Sequence, residues 1–278
     1  MSLNLALVGK SSAPTTYTYS WRDTVLYALG VGAKVPDELD VLFEMQGPKV
    51  LPTFAVVPSF TAMLQVCSQL GANMAMVVHG EQTIRLHRPI APNGTLTTVA
   101  VVTGIYDKGK GAVAVVEAKT VDEKQQPVFD NVFSIFVRGA GGFGGERGPE
   151  AIALDPPDRS ADFTITERTS PEQAALYRLS GDLNPLHISP QMAKAVGFER
   201  PILHGLCTYG YAGRAVVRAV CGGDPSRLRS FSARFSAPVM PGDELTTAGW
   251  LHSDGSYLLR VTTGDGKTVL SNARAEIA

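Results

Sequence analysis

Two pairs of segments match across this chain at nearly one spacing, and that repeat limits the possible folds more than any other feature. LYALGVG at 26–32 resembles LYRLSGD at 176–182, an offset of 150. PIAPNGTLTT at 89–98 resembles PVMPGDELTT at 238–247, an offset of 149, with both prolines, the leucine and the paired threonines in register. Strand-like runs follow in both halves, VAVVTGIY and GAVAVVEAKTV in the first, TAGWLHS and SYLLRVTTG in the second, separated by the turn sequences DKGKG, DGS and GDGK. NVFSIFVRG and NARAEIA close the two halves. The pattern predicts an α+β chain built from one unit used twice, and 278 residues suit two units of ordinary size.

The expected division is 1–138, a linker over 139–160, and 161–278. The linker, GAGGFGGERGPEAIALDPPDRS, breaks the strand pattern with Gly, Pro and charge. Within it Gly139, Gly141 and Gly144 spell G-x-G-x-x-G after a strand. A dinucleotide site needs a helix to open there and present its N-terminus to a pyrophosphate. The chain continues instead as ERGPEAI, with Pro149 and no helical stripe, so the motif is read as a connector.

A net charge of -1 offers no cationic excess for nucleic acid. Cys67, Cys207 and Cys221 are odd in number and lack C-x-x-C pairing, which points to neither a disulfide framework nor a zinc site. The opening MSLNLALVGK is too short for a secretory core, no stretch reads as a membrane span, and NARAEIA does not end on a peroxisomal tripeptide. The expectation is a soluble, cytoplasmic protein with no metal.

If the halves are copies, their differences mark the chemistry. Ser170, Pro171 and Gln173 signal a helix start, and Ser180-Gly181 its end. Asp182, Asn184 and His187 then lie on an irregular segment that Pro185 keeps from resuming the helix, before Ser189-Pro190 opens the next one at QMAKAVG. An Asp and a His on such a turn can face one point, as general acid–base chemistry requires. The first half has Gly32 in place of Asp182 and no histidine before His79. PILHGLCTYGYAGRAVVRAVCGG at 201–223 reads as the longest helix of its half, placing Gly205 in the first turn, where free N–H groups can stabilise an oxyanion. The counterpart there is Val56, with Pro58 close behind.

YRLSGDLNPLHISPQMAKA, together with WRDTVLYALGVGA, LPTF, HGEQ, GGFGG and PILHGLCT, resembles the MaoC-like (R)-specific 2-enoyl-CoA hydratases, the hydratase 2 group also found as a domain of peroxisomal multifunctional enzymes. The resemblance covers nearly the whole chain. It implies a double hot-dog fold, each unit an antiparallel sheet wrapped on a helix, with the first half helping to house the acyl tail. It implies reversible hydration of trans-2-enoyl-CoA to (3R)-3-hydroxyacyl-CoA by Asp182 and His187, with Gly205 as oxyanion donor and Asn184 in the same substrate-contacting segment. Asp182 is taken as base and His187 as its proton partner, an order that the spacing itself does not set. His79, Gly80, Lys108 and Phe235 match ligand-contacting positions, Lys108 suiting a CoA phosphate. Glu44 matches a glutamate implicated in activity in a relative and is read as structural support, since it lies outside the half that carries the dyad. Coenzyme A enters only as part of the substrate, no cofactor is implied, and a homodimer is a family expectation. The competing readings are a hot-dog acyl-CoA thioesterase, which directs water to the thioester carbon, and a non-catalytic acyl-CoA-binding module.

Overall fold

The structure is a computed structural model that describes residues 3–73, 76–150 and 153–278. The alternating segments form strands β1 Thr15–Tyr19, β2 Val77–Leu86, β3 Gly94–Asp107, β4 Gly111–Asp122 and β5 Pro127–Arg138 in the first half. The second half repeats them as β6 Phe163–Arg168, β7 Leu228–Phe235, β8 Glu244–Leu251, β9 Tyr257–Thr263 and β10 Thr268–Ile277. The helices are α1 Trp21–Gly30, α2 Leu39–Leu42, α3 Val56–Cys67, α4 Gln173–Tyr177, α5 Pro190–Ala195 and α6 Gly205–Val220. All ten strands join one sheet in the order β1-β3-β4-β5-β2-β7-β10-β9-β8-β6. Counted inward from each outer edge the two halves have the same order, which is the double hot-dog arrangement.

The duplicated residues do the same work twice. Leu96 and Thr98 of the first LTT stretch are buried, and so are Leu245 and Thr247 of the second. Tyr27 on α1 and Tyr177 on α4, from the matched LY segments, face each other with ring centroids 6.1 Å apart. The halves meet at the antiparallel pairing of β2 with β7, where Thr83 lies opposite Ser232. That separation is the repeat offset of 149, so Thr83 faces its own counterpart and a local twofold axis runs through the seam. Two cores result. α3 packs on β3 and β4 with Met63, Val66, Val116 and Phe133 buried, while α6 and α1 share the other with Phe54, Tyr209 and Phe231.

The run Pro52–Leu70 corrects one expectation, because by length and composition it could cross a membrane. It is mostly buried inside the protein, packed against β3 and β4, and that burial accounts for its apolar composition. The glycine-rich connector also has a local explanation. Its N–H groups at Gly142 and Gly144, with that of Gly109, donate to the Asp107 carboxylate at 2.8–2.9 Å. These bonds hold the Asp107 carboxyl below the usual carboxylate range. The G-x-G-x-x-G thus wraps an anion, but one from its own chain, and among the described residues no helix opens after it before β6.

One charged group lies inside the helix layer. The side chain of Arg214 on α6 is fully buried and reaches Glu38 at 2.5 Å, Glu167 at 2.5 Å and the Val31 carbonyl at 2.9 Å. Glu38 and Val31 belong to the first half, so this network ties the helices of one half to the other. Removing the cation while leaving two mostly buried carboxylates is more costly than removing the whole network. Arg214→Met is expected to lower unfolding free energy in urea by about 3–5 kcal/mol, with a smaller loss for the triple change Arg214→Met, Glu38→Gln, Glu167→Gln.

Candidate active site

The segment that carries the dyad is built by short-range hydrogen bonds. Ser170 and Gln173 close the start of α4, and the helix tightens into a 3₁₀ turn at Arg178–Ser180. Gly181 ends it at φ +126°, a value that residues with a Cβ avoid. Asp182 then accepts the Asn184 N–H at 3.1 Å, and Asn184 accepts the Leu186 N–H at 3.0 Å. These two Asx turns wind the chain into a 3₁₀ turn, Pro185–His187, and Ser189 caps α5. Asn184 is exposed, and its visible role is to cap this turn.

His187 is buried, with Nδ1 2.9 Å from the Ile202 carbonyl. A carbonyl only accepts, so Nδ1 carries the hydrogen and Nε2 presents a lone pair. The Asp182 carboxylate, a His187 nitrogen and a His204 nitrogen all lie within 4.8 Å of one another. The His187 and His204 rings are stacked, centroids 3.7 Å apart at 27°. Nitrogens of stacked rings point along parallel directions rather than at one point, which does not suit a tetrahedral metal site.

α6 begins at Gly205, directly after His204, and among the described residues its N–H meets no acceptor. Against Gly205 lies Phe235 at the end of β7, close enough that a Cβ on the glycine would come 3.1 Å from the ring. His79 of the first half packs on the other side of Phe235 with ring centroids 4.9 Å apart. Gly80 is the extra residue of a bulge between His79 and Glu81, where a Cβ would stand 3.1 Å from the Ser134 carbonyl. Asp182, His187, Gly205, Phe235, His79 and Gly80 therefore converge on one end of the β2–β7 seam.

Lys108 lies in the β3–β4 turn, two strands from β2 at the same end of the sheet, and its ammonium bonds the Arg147 carbonyl. Glu44 is exposed and has no hydrogen bond or ion pair among the described residues, so it does not provide the structural support expected of it. Among the described residues the acids that the first half buries are Glu38 and Asp107. Sequence reasoning also passed over His204, although the repeat held a signal, since its counterpart at the 149-residue offset is Ala55. At the opposite end of the seam the same offset puts Leu86 in place of Phe235 and Leu228 in place of His79. There a cavity of about 240 Å³ remains, lined by Val50, Pro52, Leu86, Ile90 and Leu228 and without the dyad.

Burial pushes the His204 imidazole down from 6.5 to about 3, helped by repulsion from His187. Burial likewise lowers His187, against the opposing pull of the Ile202 carbonyl and Asp182, and takes His79 from 6.5 to about 4. All three are neutral near pH 7. In the unfolded chain they bind protons below about 6.5, while the folded chain refuses them until much lower pH. Lowering pH from 6.5 toward 4 therefore favours the unfolded state. The melting temperature is expected to be flat above about pH 6.5 and to fall steadily below it, as scanning calorimetry across that range would show.

In this double hot-dog, an Asp/His turn beside the free N-terminus of the second core helix places an acid–base pair next to an oxyanion donor. Comparison with known proteins gives the family. Residues 17–139 match the family model described as the MFE-2 hydratase 2 N-terminal domain, and residues 153–271 match the MaoC like domain. The chain belongs to this MaoC-like hydratase 2 family. It is 40% identical over 272 residues to a probable enoyl-CoA hydratase 2 of Dictyostelium discoideum, covering 95% of this chain and 92% of that one. It is 39% identical over 279 residues to the peroxisomal multifunctional enzyme type 2 of Mus musculus, covering 97% of this chain but 38% of that enzyme. Among solved structures, a MaoC-like dehydratase from Phytophthora Capsici superposes with a TM-score of 0.88 at 34% identity, covering 99% and 98% of the two chains.

Proposed function

We infer that this protein is a hydro-lyase that reversibly hydrates trans-2-enoyl-CoA to (3R)-3-hydroxyacyl-CoA. The observation that carries this reading is the meeting of Asp182, His187 and the unengaged Gly205 N–H, in a chain whose family relatives are named enoyl-CoA hydratase 2.

In this reading the thioester oxygen accepts the Gly205 N–H, which draws electrons toward it and leaves C3 electrophilic. One water is held between the Asp182 carboxylate and His187 Nε2. Its oxygen bonds to C3 while a dyad member takes one of its protons, and enolate character builds on the thioester. A neutral His187 with its hydrogen on Nδ1 has none on Nε2 to give. The proton returned to C2 is therefore the one just taken from water, delivered to the same face. This supports a syn addition in which the dyad acts as one unit. Phe235 and His79 would line the thioester and acyl region, and Lys108 would meet a CoA phosphate as a point charge.

Crotonyl-CoA with chiral product analysis tests the reading. The expected result is loss of the conjugated enoyl thioester with (3R) product. Free CoA would instead show a thioesterase, an (S) product would contradict the assignment, and binding without turnover would leave only a binding module. Asp182→Asn and His187→Ala are each expected to lower kcat by about a hundred- to ten-thousandfold.

The oxyanion role has a separate test in the pair Gly205→Pro and Gly205→Ala. Both add a Cβ against Phe235, but only proline removes the N–H. Proline is tolerated at the first helical position, and His204 before it is already extended at φ -60°, ψ 134°. Gly205→Pro is expected to lose about a hundred- to a thousandfold more kcat than Gly205→Ala, with both still folded.

A further inference from the structure

We propose that His204 is a positioning residue for this hydration, holding the Asp182 turn and the His187 ring in register with the Gly205 N–H. The inference rests on the hydratase reading of the site.

His204 is 1% exposed, and its imidazole contacts both members of the dyad segment and the Tyr177 ring. Its Nε2 lies 3.1 Å from the Asp182 carbonyl and must be the donor, since the carbonyl accepts. One face covers His187 in the stack, and Tyr177 packs against it with centroids 4.9 Å apart. Its own carbonyl accepts the Cys207 and Thr208 N–H groups, which starts α6 and leaves the next N–H, that of Gly205, free. A single residue thereby joins the carboxylate-bearing turn, the acid–base ring and the oxyanion donor.

The stack also acts on the His187 tautomer. With its plane fixed, the Nδ1–H of His187 stays aimed at the Ile202 carbonyl, two residues before His204, and Nε2 keeps its lone pair. Without the stack the His187 ring can rotate away from that carbonyl. The Nδ1 of His204 is buried and has no partner among the described residues, so this ring is kept neutral in a place that costs an unsatisfied acceptor. A residue present only to fill space would carry no such cost. The first half, which has no dyad, has Ala55 at the equivalent position.

The test is steady-state hydration of crotonyl-CoA by the wild type and by His204→Ala, His204→Gln and His204→Phe, with histidine 15N NMR of each near neutral pH. Gln keeps a donor for the Asp182 carbonyl, and Phe keeps a flat face for His187. His204→Ala is expected to lower kcat by about a hundredfold with KM changed by less than about threefold, and to turn the single Nδ1–H signal pattern of His187 into a mixture. Gln and Phe are each expected to regain part of the lost kcat. The proposal is overturned if His204→Ala keeps kcat within about threefold of wild type, or if it raises KM while kcat holds. Should His204→Ala fail to fold, wild-type kcat in both Gln and Phe overturns the proposal, and a fall in both supports it. If the wild type itself shows no hydration, the functional reading fails, while the His187 tautomer still reports whether His204 holds that ring.

Discussion

The antiparallel pairing of β2 with β7 is the interaction on which the remaining structure depends. Each five-stranded half would otherwise end on a bare strand edge with unpaired N–H and C=O groups. Joining the two edges satisfies both and produces one ten-stranded sheet. The register Thr83 opposite Ser232 then decides which side chains meet at each end of the seam. At one end His79 from the first half comes against Phe235 from the second, beside the start of α6. At the other end the counterparts are Leu86 and Leu228, and what remains is an apolar cavity. One symmetric pairing thus carries two ends of different chemistry, because the two repeats place different residues at those ends.

Burial sets the electrostatics of the equipped end. The imidazoles of His79, His187 and His204 are all pushed toward the neutral form by desolvation. Neutrality makes the choice of tautomer important, and for His187 and His204 a single backbone carbonyl makes that choice. Elsewhere the fold keeps charge and compensates it. Arg214 stays buried between two carboxylates from different halves, and the glycine-rich connector surrounds Asp107 with N–H donors. The same backbone chemistry that binds a phosphate in other proteins here anchors a turn to the connector that follows β5.

Legibility followed sequence distance. Asp182, Asn184 and His187 lie within six residues between two helix signals, so their local geometry could be read from caps, glycine and proline. Gly205 could be read because its helix start depends on neighbouring residues. The double unit was legible because a repeat is visible as a repeat. Glu38, Glu167 and Arg214 gave no such signal, since each is an ordinary charged residue until three distant segments bring them together. Glu44 was singled out by resemblance, while nearby Glu38 is the acid that is buried, because the local sequence does not say which of two acidic side chains turns inward. The run at 52–70 was not singled out as a possible span, yet as one helical run it reaches that length.

The amino-acid sequence by itself determined that two similar units exist, that one of them carries an acid–base pair on a pinned turn, and that a glycine opens the helix behind it. These are consequences of local backbone preference and of side-chain periodicity, which act over a few residues. Only the tertiary structure decided that His79 from the empty half reaches the site, that His204 lies flat on His187, and which nitrogen of each ring holds its hydrogen. Those depend on strand register across the seam and on carbonyls that face the rings only after the chain has packed. Contacts of that kind are set by the whole fold, because stacking and burial require surfaces that no short segment possesses alone.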